Sequence, residues 1–246
     1  MNSKKIKLKF IKKTNPRVGL IVLATDVMIE KDFLKVFSDV SADLFVNRIT
    51  NYNPVTANNL KKMVNDITSV TEKILPGEKV DCVVYGCTSG TIVSGYNDIK
   101  KKINIAKPDA VVTAPSTAAL NALKKKNINK ISIVTPYIKN VNDYVVNFFK
   151  NNNFEITSNT YFDIESDVDI GKVDQDQLFE ILSNIDHKNA EALFVSCTSL
   201  PVLNIIEKLE KKLNITVLSS NQALIWETLE SINRNNSIKG YGSLFS

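Results

Sequence analysis

A short apolar run that ends in Cys-Thr-Ser occurs twice in this chain, at Val83–Ser89 and, 110 residues later, at Leu193–Ser199. We call Cys87-Thr88-Ser89 the first elbow and Cys197-Thr198-Ser199 the second elbow. Two further pairs of segments repeat in the same order: Leu20–Asp26 with Ile131–Tyr137, and Val111–Ala118 with Thr216–Ala223, at offsets near 112 and 105 residues. Because three matched landmarks keep their order, the sequence predicts two lobes related by a pseudo-twofold axis.

Each repeated segment is an apolar run of strand length, which is typical of a parallel strand covered on both faces. Apolar residues at helical spacing fill the stretches between these runs. The alternation predicts an α/β fold, with two doubly wound lobes, parallel sheets and an active-site cleft between the lobes. The predicted units are a basic N-terminal tail (1–16), a first lobe (17–118), a second lobe (119–222) and a C-terminal helix within 223–246 that packs back on the first lobe.

The same patterns predict the remaining elements. A strand is expected at Asp43–Ile49 and a helix begins at Pro115. Other helices are predicted at about residues 30–39, 57–75, 90–103, 140–149, 175–185, 202–213 and 221–232. The loops around residues 51–55, 94–97 and 159–169 are expected to set substrate specificity, because loops on a rigid scaffold often carry binding residues.

Cys87 and Cys197 each stand at the carboxyl end of a predicted strand. In an open α/β sheet this edge faces the ligand crevice, into which the following helices point their partly positive N-termini. Free backbone N–H groups there favour the thiolate, which is the form that acts as base or nucleophile. The alternative is that both cysteines are small buried fillers. Cys82, which lacks the Thr-Ser sequel, is predicted to be such a core residue.

Two thiols that face one carbon atom from opposite sides provide what stereochemical inversion needs. One removes the proton next to a carboxylate, and the other returns a proton to the far face. Backbone N–H groups and neighbouring hydroxyls can hold the carboxylate and the charge that develops on it. These hydroxyls belong to Thr88, Ser89, Thr198 and Ser199.

The sequence signals no cofactor and no metal. Neither a G-x-G-x-x-G fingerprint nor a P-loop occurs, and the three cysteines do not have the spacing of a zinc site. The single histidine, His187, lies in a polar segment, which disfavours a histidine base.

The positive net charge of +5 is concentrated in the tail. Six lysines precede residue 14 without an acidic residue, which leaves 25 basic against 26 acidic residues in the rest. A nucleic-acid-binding domain would spread its charge over a folded face, so we expect a small-molecule carboxylate as partner rather than a nucleic acid. No membrane-spanning run and no signal-peptide pattern is present. We therefore expect a cytoplasmic homo-oligomer, a dimer or larger, with no membrane partner.

Six segments of the chain carry a resemblance to a known family. They are Gly19–Asp26, Asn53–Thr56, Tyr85–Thr91, Thr135–Tyr137, Ser196–Thr198 and Ser220–Leu224. The chain resembles the aspartate/glutamate racemase superfamily, in the branch of maleate cis-trans isomerase, arylmalonate decarboxylase and the ectoine-utilisation (EutA-like) proteins, and most resembles the last. The resemblance spans residues 17–232 and implies a cofactor-independent enzyme that uses Cys87 and Cys197. Tyr137 and the Thr-Ser hydroxyls are then oxyanion or carboxylate ligands.

Departures from these relatives narrow the implied chemistry. Arylmalonate decarboxylases have glycine at the first elbow, and maleate isomerases carry asparagine where Asp26 stands and near Asp167. Two like charges about 4 Å apart cost about 1 kcal/mol in water and several times that in a drier cleft. Because Asp26 and Asp167 would repel a second carboxylate, we hypothesise a substrate with one carboxylate and a cationic amine. An amino acid of the diaminobutyrate type fits, as in ectoine breakdown.

Several alternatives stay open at this point. The isomerase reaction is either racemisation or cis-trans isomerisation, and maleate is an alternative substrate. A decarboxylase that uses Cys197 alone is a second alternative, and a non-catalytic small-molecule binding module is a third. Asp26 would otherwise be a helix N-cap, and Tyr137 a core aromatic residue with a satisfied hydroxyl.

Overall fold

The computed structural model describes residues 3–10, 15–234 and 237–245. Within these residues, eight strands form two parallel four-stranded sheets. The strands are β1 (Arg17–Leu23), β2 (Asp43–Ile49), β3 (Cys82–Gly86), β4 (Val111–Thr113), β5 (Lys130–Thr135), β6 (Glu155–Tyr161), β7 (Ala192–Val195) and β8 (Thr216–Ser219). The first sheet has the order β2-β1-β3-β4, and the second sheet repeats it as β6-β5-β7-β8.

The repeated strand order confirms the predicted fold class of two pseudo-symmetric α/β lobes. Val18 lies opposite Cys82 in the first sheet, and Ile131 lies opposite Ala192 in the second. The central strands are buried on both faces, which explains their continuous apolar sequence. Because the strands of each sheet run parallel, each elbow leaves its sheet at the carboxyl edge.

Eleven α-helices surround the sheets in the described chain. They are α1 (Ile29–Phe37), α2 (Ala57–Met63), α3 (Ile67–Glu72), α4 (Thr88–Ser94), α5 (Tyr96–Ala106), α6 (Pro115–Lys125), α7 (Lys139–Asn151), α8 (Asp167–Ile170), α9 (Gln175–Ser183), α10 (Ile206–Leu213) and α11 (Ser220–Ser231). Short 3-10 helices occur at Val64–Asp66, Leu203–Ile205 and Ser243–Phe245.

Three predicted helices are interrupted. The helix predicted at 90–103 is two helices, because Gly95 adopts a φ of +87° that breaks the ladder between α4 and α5. The helix predicted at 57–75 contains the 3-10 turn Val64–Asp66, and the one predicted at 202–213 begins with the 3-10 turn Leu203–Ile205. Helical spacing of apolar residues alone does not reveal such tightened turns.

Strand β6 is absent from the prediction, which placed part of it in a loop at 159–169. It is an edge strand, and its mixed sequence Glu-Ile-Thr-Ser-Asn-Thr-Tyr has no fully buried residue. A strand that is only partly covered by other elements does not need a continuous apolar sequence, so β6 lacks the run by which the buried strands were predicted. β6 begins 112 residues after β2, so it adds a fourth matched landmark to the repeat.

The last helix, α11, crosses from the second sheet to the first lobe. It follows β8 directly but packs against α6 and α1, and the hydroxyls of Thr113 and Thr228 lie 3.2 Å apart between β4 and α11. The predicted C-terminal helix thus ends at Ser231, and residues 235–236 and 246 lie outside the described residues, as do 1–2 and 11–14 of the predicted tail. The lobe boundaries stay a prediction. No helix in the described ranges has the length and apolar character to cross a membrane.

Candidate active site

The first elbow is the start of helix α4. Cys87 is in extended conformation at φ −148° and caps the helix, and its sulfur accepts the N–H of Gly90 at 3.2 Å. The hydroxyl of Thr91 donates to the Cys87 carbonyl at 2.6 Å. A Cβ atom at Gly90 would lie 2.8 Å from the Cys87 sulfur, so this close approach requires glycine. A thiol at a helix N-terminus next to a free N–H is the predicted arrangement.

The second elbow has a different backbone. Cys197 has a φ of +115°, a region that favours glycine, and such an outlier costs about 1–3 kcal/mol. No α-helix follows it directly, since the chain becomes helical only at Leu203. The expectation that a helix N-terminus faces each thiol is therefore wrong for Cys197. Backbone strain of this kind clusters at functional sites. Nothing in the local sequence predicts the positive φ of Cys197.

Hydrogen bonds join the two elbows. The hydroxyl of Ser220, at the start of α11, accepts the Thr88 hydroxyl at 2.9 Å and the N–H of Cys197 at 3.0 Å. The Thr198 hydroxyl donates to the Gly86 carbonyl at 3.4 Å. Ser220 therefore bridges the two elbows, a role that the sequence does not indicate beyond the place of Ser220 in a repeated segment.

Both elbows border one small, nearly closed cavity with room for about one water molecule. Seven of the nine predicted site residues line it: Cys87, Thr88, Ser89, Tyr137, Asp167, Cys197 and Thr198. Four lining residues were not predicted as site residues: Leu23, Asn51, Val55 and Leu60. Two thiols that are 110 residues apart in the chain thus face the same space.

The other two predicted substrate ligands, Asp26 and Ser199, are not among the lining residues. One oxygen of Asp26 accepts the N–H groups of Met28 and Ile29 at 2.8 and 3.0 Å, so this carboxylate caps α1. The Ser199 hydroxyl donates to Asp167 at 2.8 Å. In this structure, Asp26 thus holds a helix and Ser199 holds Asp167, and their roles as substrate ligands stay predictions.

Asp167 is the carboxylate that lines the cavity, and the surrounding chain fixes both of its oxygens. Oδ1 accepts the Ser199 hydroxyl, and Oδ2 accepts the Thr25 hydroxyl at 2.6 Å. Thr25 in turn accepts the amide of Asn51 at 2.7 Å. Burial raises the pKa of Asp167, and no lysine, arginine or histidine is among the residues that line the described cavity. This is a carboxylate without a cationic partner in the wall.

Both thiols are protonated in the closed cavity. Burial raises the pKa of Cys87 to about 12, because the Gly90 N–H offsets only part of the desolvation and the Asp167 charge adds to it. Burial and Asp167 also raise the pKa of Cys197 well above its usual value, against a hydrogen bond from Tyr137. Burial thus opposes the thiolate at both elbows more strongly than the N–H groups favour it, contrary to the expectation from the strand ends.

Two further buried carboxylates stand behind the second elbow. Asp32, in the first turn of α1, accepts the side-chain amide of Asn221, which also donates to the Thr198 carbonyl, both at 2.8 Å. Burial raises the pKa of Asp32 to about 7 and, together with the charge of Asp167, that of Asp26 to about 6. Asp32 was missed because an acidic residue in a first helical turn is ordinary.

The other thiol and the histidine lie elsewhere. Cys82 is buried 3.8 Å from the Thr113 hydroxyl, as expected of a core residue. His187 contacts the carbonyl of Ile185 at 2.9 Å through Nδ1 and does not line the cavity. Within the described ranges, no group of three or more His, Cys, Asp or Glu side chains could hold a metal ion.

Comparisons with known proteins agree with this fold. The maleate isomerase of Geobacillus stearothermophilus is 24% identical over 245 residues, which cover 94% of this chain and 97% of the relative. A mutant maleate cis-trans isomerase from Nocardia farcinica, with a covalently bound succinylcysteine intermediate, has a TM-score of 0.86 at 19% identity, over 94% of this chain and 98% of that one. The Pseudomonas putida S16 maleate isomerase with maleate also has a TM-score of 0.86, at 20% identity, over 95% and 98%.

The family model of arylmalonate decarboxylase (Amdase) matches residues 18–245, which includes both sheets and both elbows. This match confirms the branch of the superfamily that the sequence motifs predicted. The chain belongs to the arylmalonate decarboxylase family.

Proposed function

We propose that this chain is a cofactor-independent isomerase, a racemase or a cis-trans isomerase, that acts on a small carboxylate substrate with Cys87 and Cys197. The observation that carries the proposal is the meeting of the two elbows, one from each sheet, at a single cavity that both thiols line. The maleate isomerase relatives support the same reaction class.

In the racemase reaction, Cys87 as thiolate takes the proton from the carbon next to the carboxylate. The C–H electron pair moves onto the carboxylate and gives an enediolate, which nearby N–H groups stabilise. The hydroxyls of Thr88 and Thr198 add to this when they turn from Ser220 and from the Gly86 carbonyl towards the substrate. Cys197 as thiol then delivers its proton to the opposite face. In the cis-trans reaction, the Cys87 thiolate instead adds to one carbon of the double bond, and the π electron pair moves onto the carboxylate of the other carbon. The carbon–carbon bond, now single, rotates, and the electron pair returns to re-form the double bond and expel the thiolate.

Asp167 indicates the charge of the substrate. A second substrate carboxylate beside Asp167 would add to the charge that already raises the pKa of both thiols. An ammonium group about 4 Å from a thiolate is instead worth about 4 kcal/mol at an effective dielectric of about 20, which lowers a thiol pKa by about three pH units. Binding of a cationic substrate would thus help to ionise the thiol that attacks it.

We therefore propose a substrate with one carboxylate and one amine, such as diaminobutyrate or its N-acetyl derivative, in ectoine breakdown. Asp167 faces the amine in this proposal, and the elbow hydroxyls face the carboxylate. Asp26 acts only at a distance, since it caps α1. The rival substrate is maleate, which the names of the relatives support.

One set of assays tests the reaction and the substrate. Purified protein is incubated in deuterated water with each enantiomer of diaminobutyrate, with its N-acetyl derivative and with maleate. We expect α-hydrogen exchange and inversion with an amino acid, and loss of inversion in Cys87→Ala. Cys82→Ala is the matched control, because this thiol is buried outside the cavity. Brisk maleate turnover would overturn the amine proposal, and ligand binding without any exchange or turnover would overturn the isomerase.

We also propose that the protein works as a homo-oligomer in the cytoplasm. Its three cysteines are free and buried, which suits a reducing compartment. Light scattering of the purified chain tests the oligomeric state, and a monomer at all concentrations would contradict it.

A further inference from the structure

Tyr85, on β3, is a buried tyrosine that does not line the cavity. Its side chain is fully buried, and its hydroxyl has no nitrogen or oxygen partner in the part of the chain that the structure describes. An unpaired buried hydroxyl is costly, and phenylalanine at this position would avoid the cost. The presence of this hydroxyl therefore indicates a function that the hydrogen bonds of this structure do not include.

The hydroxyl lies beside the sulfur of the first elbow. A Cβ atom at Gly90 would stand 2.8 Å from the Cys87 sulfur and 3.0 Å from the Tyr85 oxygen, so both atoms border a gap the size of one methyl group. The third neighbour of this gap is the apolar Met63 Cε at 3.2 Å. Cys87 is thus the polar group that the Tyr85 hydroxyl faces across the gap.

Burial raises the pKa of Tyr85 well above its usual value, and the charge of Cys87 raises it further. The phenol consequently keeps its proton and is a donor. A thiolate at Cys87 has one N–H donor, from Gly90, and a long contact of 3.9 Å to the Ser89 hydroxyl. No cationic side chain is among the residues lining the described cavity. Hydrogen bonds to an ionised acceptor are stronger than those to a neutral one.

We propose that Tyr85 is a positioning residue for the first elbow, whose hydroxyl donates a hydrogen bond to the Cys87 sulfur when that thiol ionises. The proposal rests on the proposed function, in which Cys87 is the attacking thiolate. The second elbow has a similar partner, since Tyr137 is buried and hydrogen-bonds to Cys197. Tyr137 lines the cavity and can also touch substrate, whereas Tyr85 acts only through Cys87.

The test is the rate at which iodoacetamide alkylates Cys87 in the unliganded protein, measured by mass spectrometry across a pH series. In Tyr85→Phe, the loss of a hydrogen bond to a charged group raises the thiol pKa by about one to two units, so alkylation at a fixed pH slows about 10- to 100-fold. The melting temperature stays equal or rises, because an unpaired hydroxyl is removed. The pH profile of kcat moves to higher pH with KM unchanged.

Tyr96→Phe is the matched control, since its hydroxyl donates to the Val112 carbonyl at 2.7 Å outside the cavity. We expect it to lower the melting temperature and to leave Cys87 alkylation unchanged. Gly90→Ala places a methyl group between sulfur and hydroxyl, and it should slow alkylation in the same direction even if Tyr85→Phe fails to fold.

An alkylation profile of Tyr85→Phe that overlays the parent profile overturns the inference. If Tyr85→Phe does not fold, unchanged alkylation in Gly90→Ala overturns it. Since alkylation needs no turnover, absent isomerase activity with a shifted profile overturns the proposed reaction alone. An active enzyme with an unshifted profile overturns the role of Tyr85 alone.

Discussion

The positive φ of Cys197 predicts an unusual order of stability among substitutions at this residue. At an ordinary buried strand position, replacing alanine by glycine costs about 0.5–1 kcal/mol in backbone freedom and about 0.8 kcal/mol for the lost methyl group. At Cys197, where φ is +115°, glycine also removes strain of about 1–3 kcal/mol. Cys197→Gly should therefore be about as stable as Cys197→Ala, or more stable.

Cys82 is the matched control for this comparison, because it is a fully buried cysteine in β3 with no positive φ. We expect Cys82→Gly to melt below Cys82→Ala. The difference in free energy of unfolding between the glycine and alanine variants should change by about 1–3 kcal/mol from Cys82 to Cys197, because this is the energy of the backbone strain. For a chain of this size, each kcal/mol corresponds to about 2–4 °C in melting temperature.

The assay is thermal unfolding of the four variants under identical conditions, together with α-hydrogen exchange. Both Cys197 variants should lose inversion, since each lacks the second thiol. An equal gap between glycine and alanine at the two sites would refute the strain at Cys197. Full inversion in Cys197→Gly would refute the two-thiol mechanism.

Three further outcomes follow from the geometry of the site. Burial raises the pKa of Asp32 from 3.8 to about 7, so its contribution to stability is complete below pH 4 and is lost as the pH rises through 7. In denaturant titrations across this pH range, the free energy of unfolding should fall less steeply with pH in Asp32→Asn than in the parent, whereas the exposed Glu72→Gln should behave as the parent. The same pH dependence in Asp32→Asn and the parent would contradict the effect. Gly90→Ala should slow turnover at least tenfold, because its Cβ would lie 2.8 Å from the Cys87 sulfur, and unimpaired kcat would count against that contact. Asn53→Ala removes the side-chain oxygen that accepts the Asp167 N–H at 3.3 Å. The variant should raise KM several-fold and lower the free energy of unfolding by less than about 1.5 kcal/mol. An unchanged KM would show that this hydrogen bond does not position Asp167 for substrate binding.

The parts of the fold that come from continuous apolar runs could be predicted from the sequence. β1, β3, β5 and β7 are buried on both faces, so their sequences display the strand directly, and the elbows follow from where these runs end. The edge strand β6 is half covered and has no such run. The interruption at Gly95 depends on one backbone angle, which a helical spacing of apolar residues does not encode.

The direction of individual side chains could not be predicted. Asp26 and Asp167 both carry a carboxylate near the carboxyl edge of a sheet, yet Asp26 turns onto the N–H groups of α1 and Asp167 lines the cavity. The choice depends on whether local N–H groups or distant hydroxyls satisfy the carboxylate. Thr25 and Ser199, which hold Asp167, are 142 and 32 residues away from it in the chain. Hydrogen bonds between residues so far apart in the chain cannot be predicted from local sequence patterns.

The two elbows also differ in backbone conformation, although their sequences agree. Cys87 has an ordinary φ and receives a helix N–H on its sulfur, whereas Cys197 has a strained φ and no α-helix directly behind it. Both sulfurs receive a backbone N–H, from Gly90 and from Ser199 respectively, but only the donor to Cys87 belongs to a helix, whose N-terminus favours negative charge. Inversion in one direction needs one base and one acid at the start of each turnover. In the proposed mechanism, these two backbone conformations of one short motif make Cys87 the thiol that attacks and Cys197 the thiol that returns the proton.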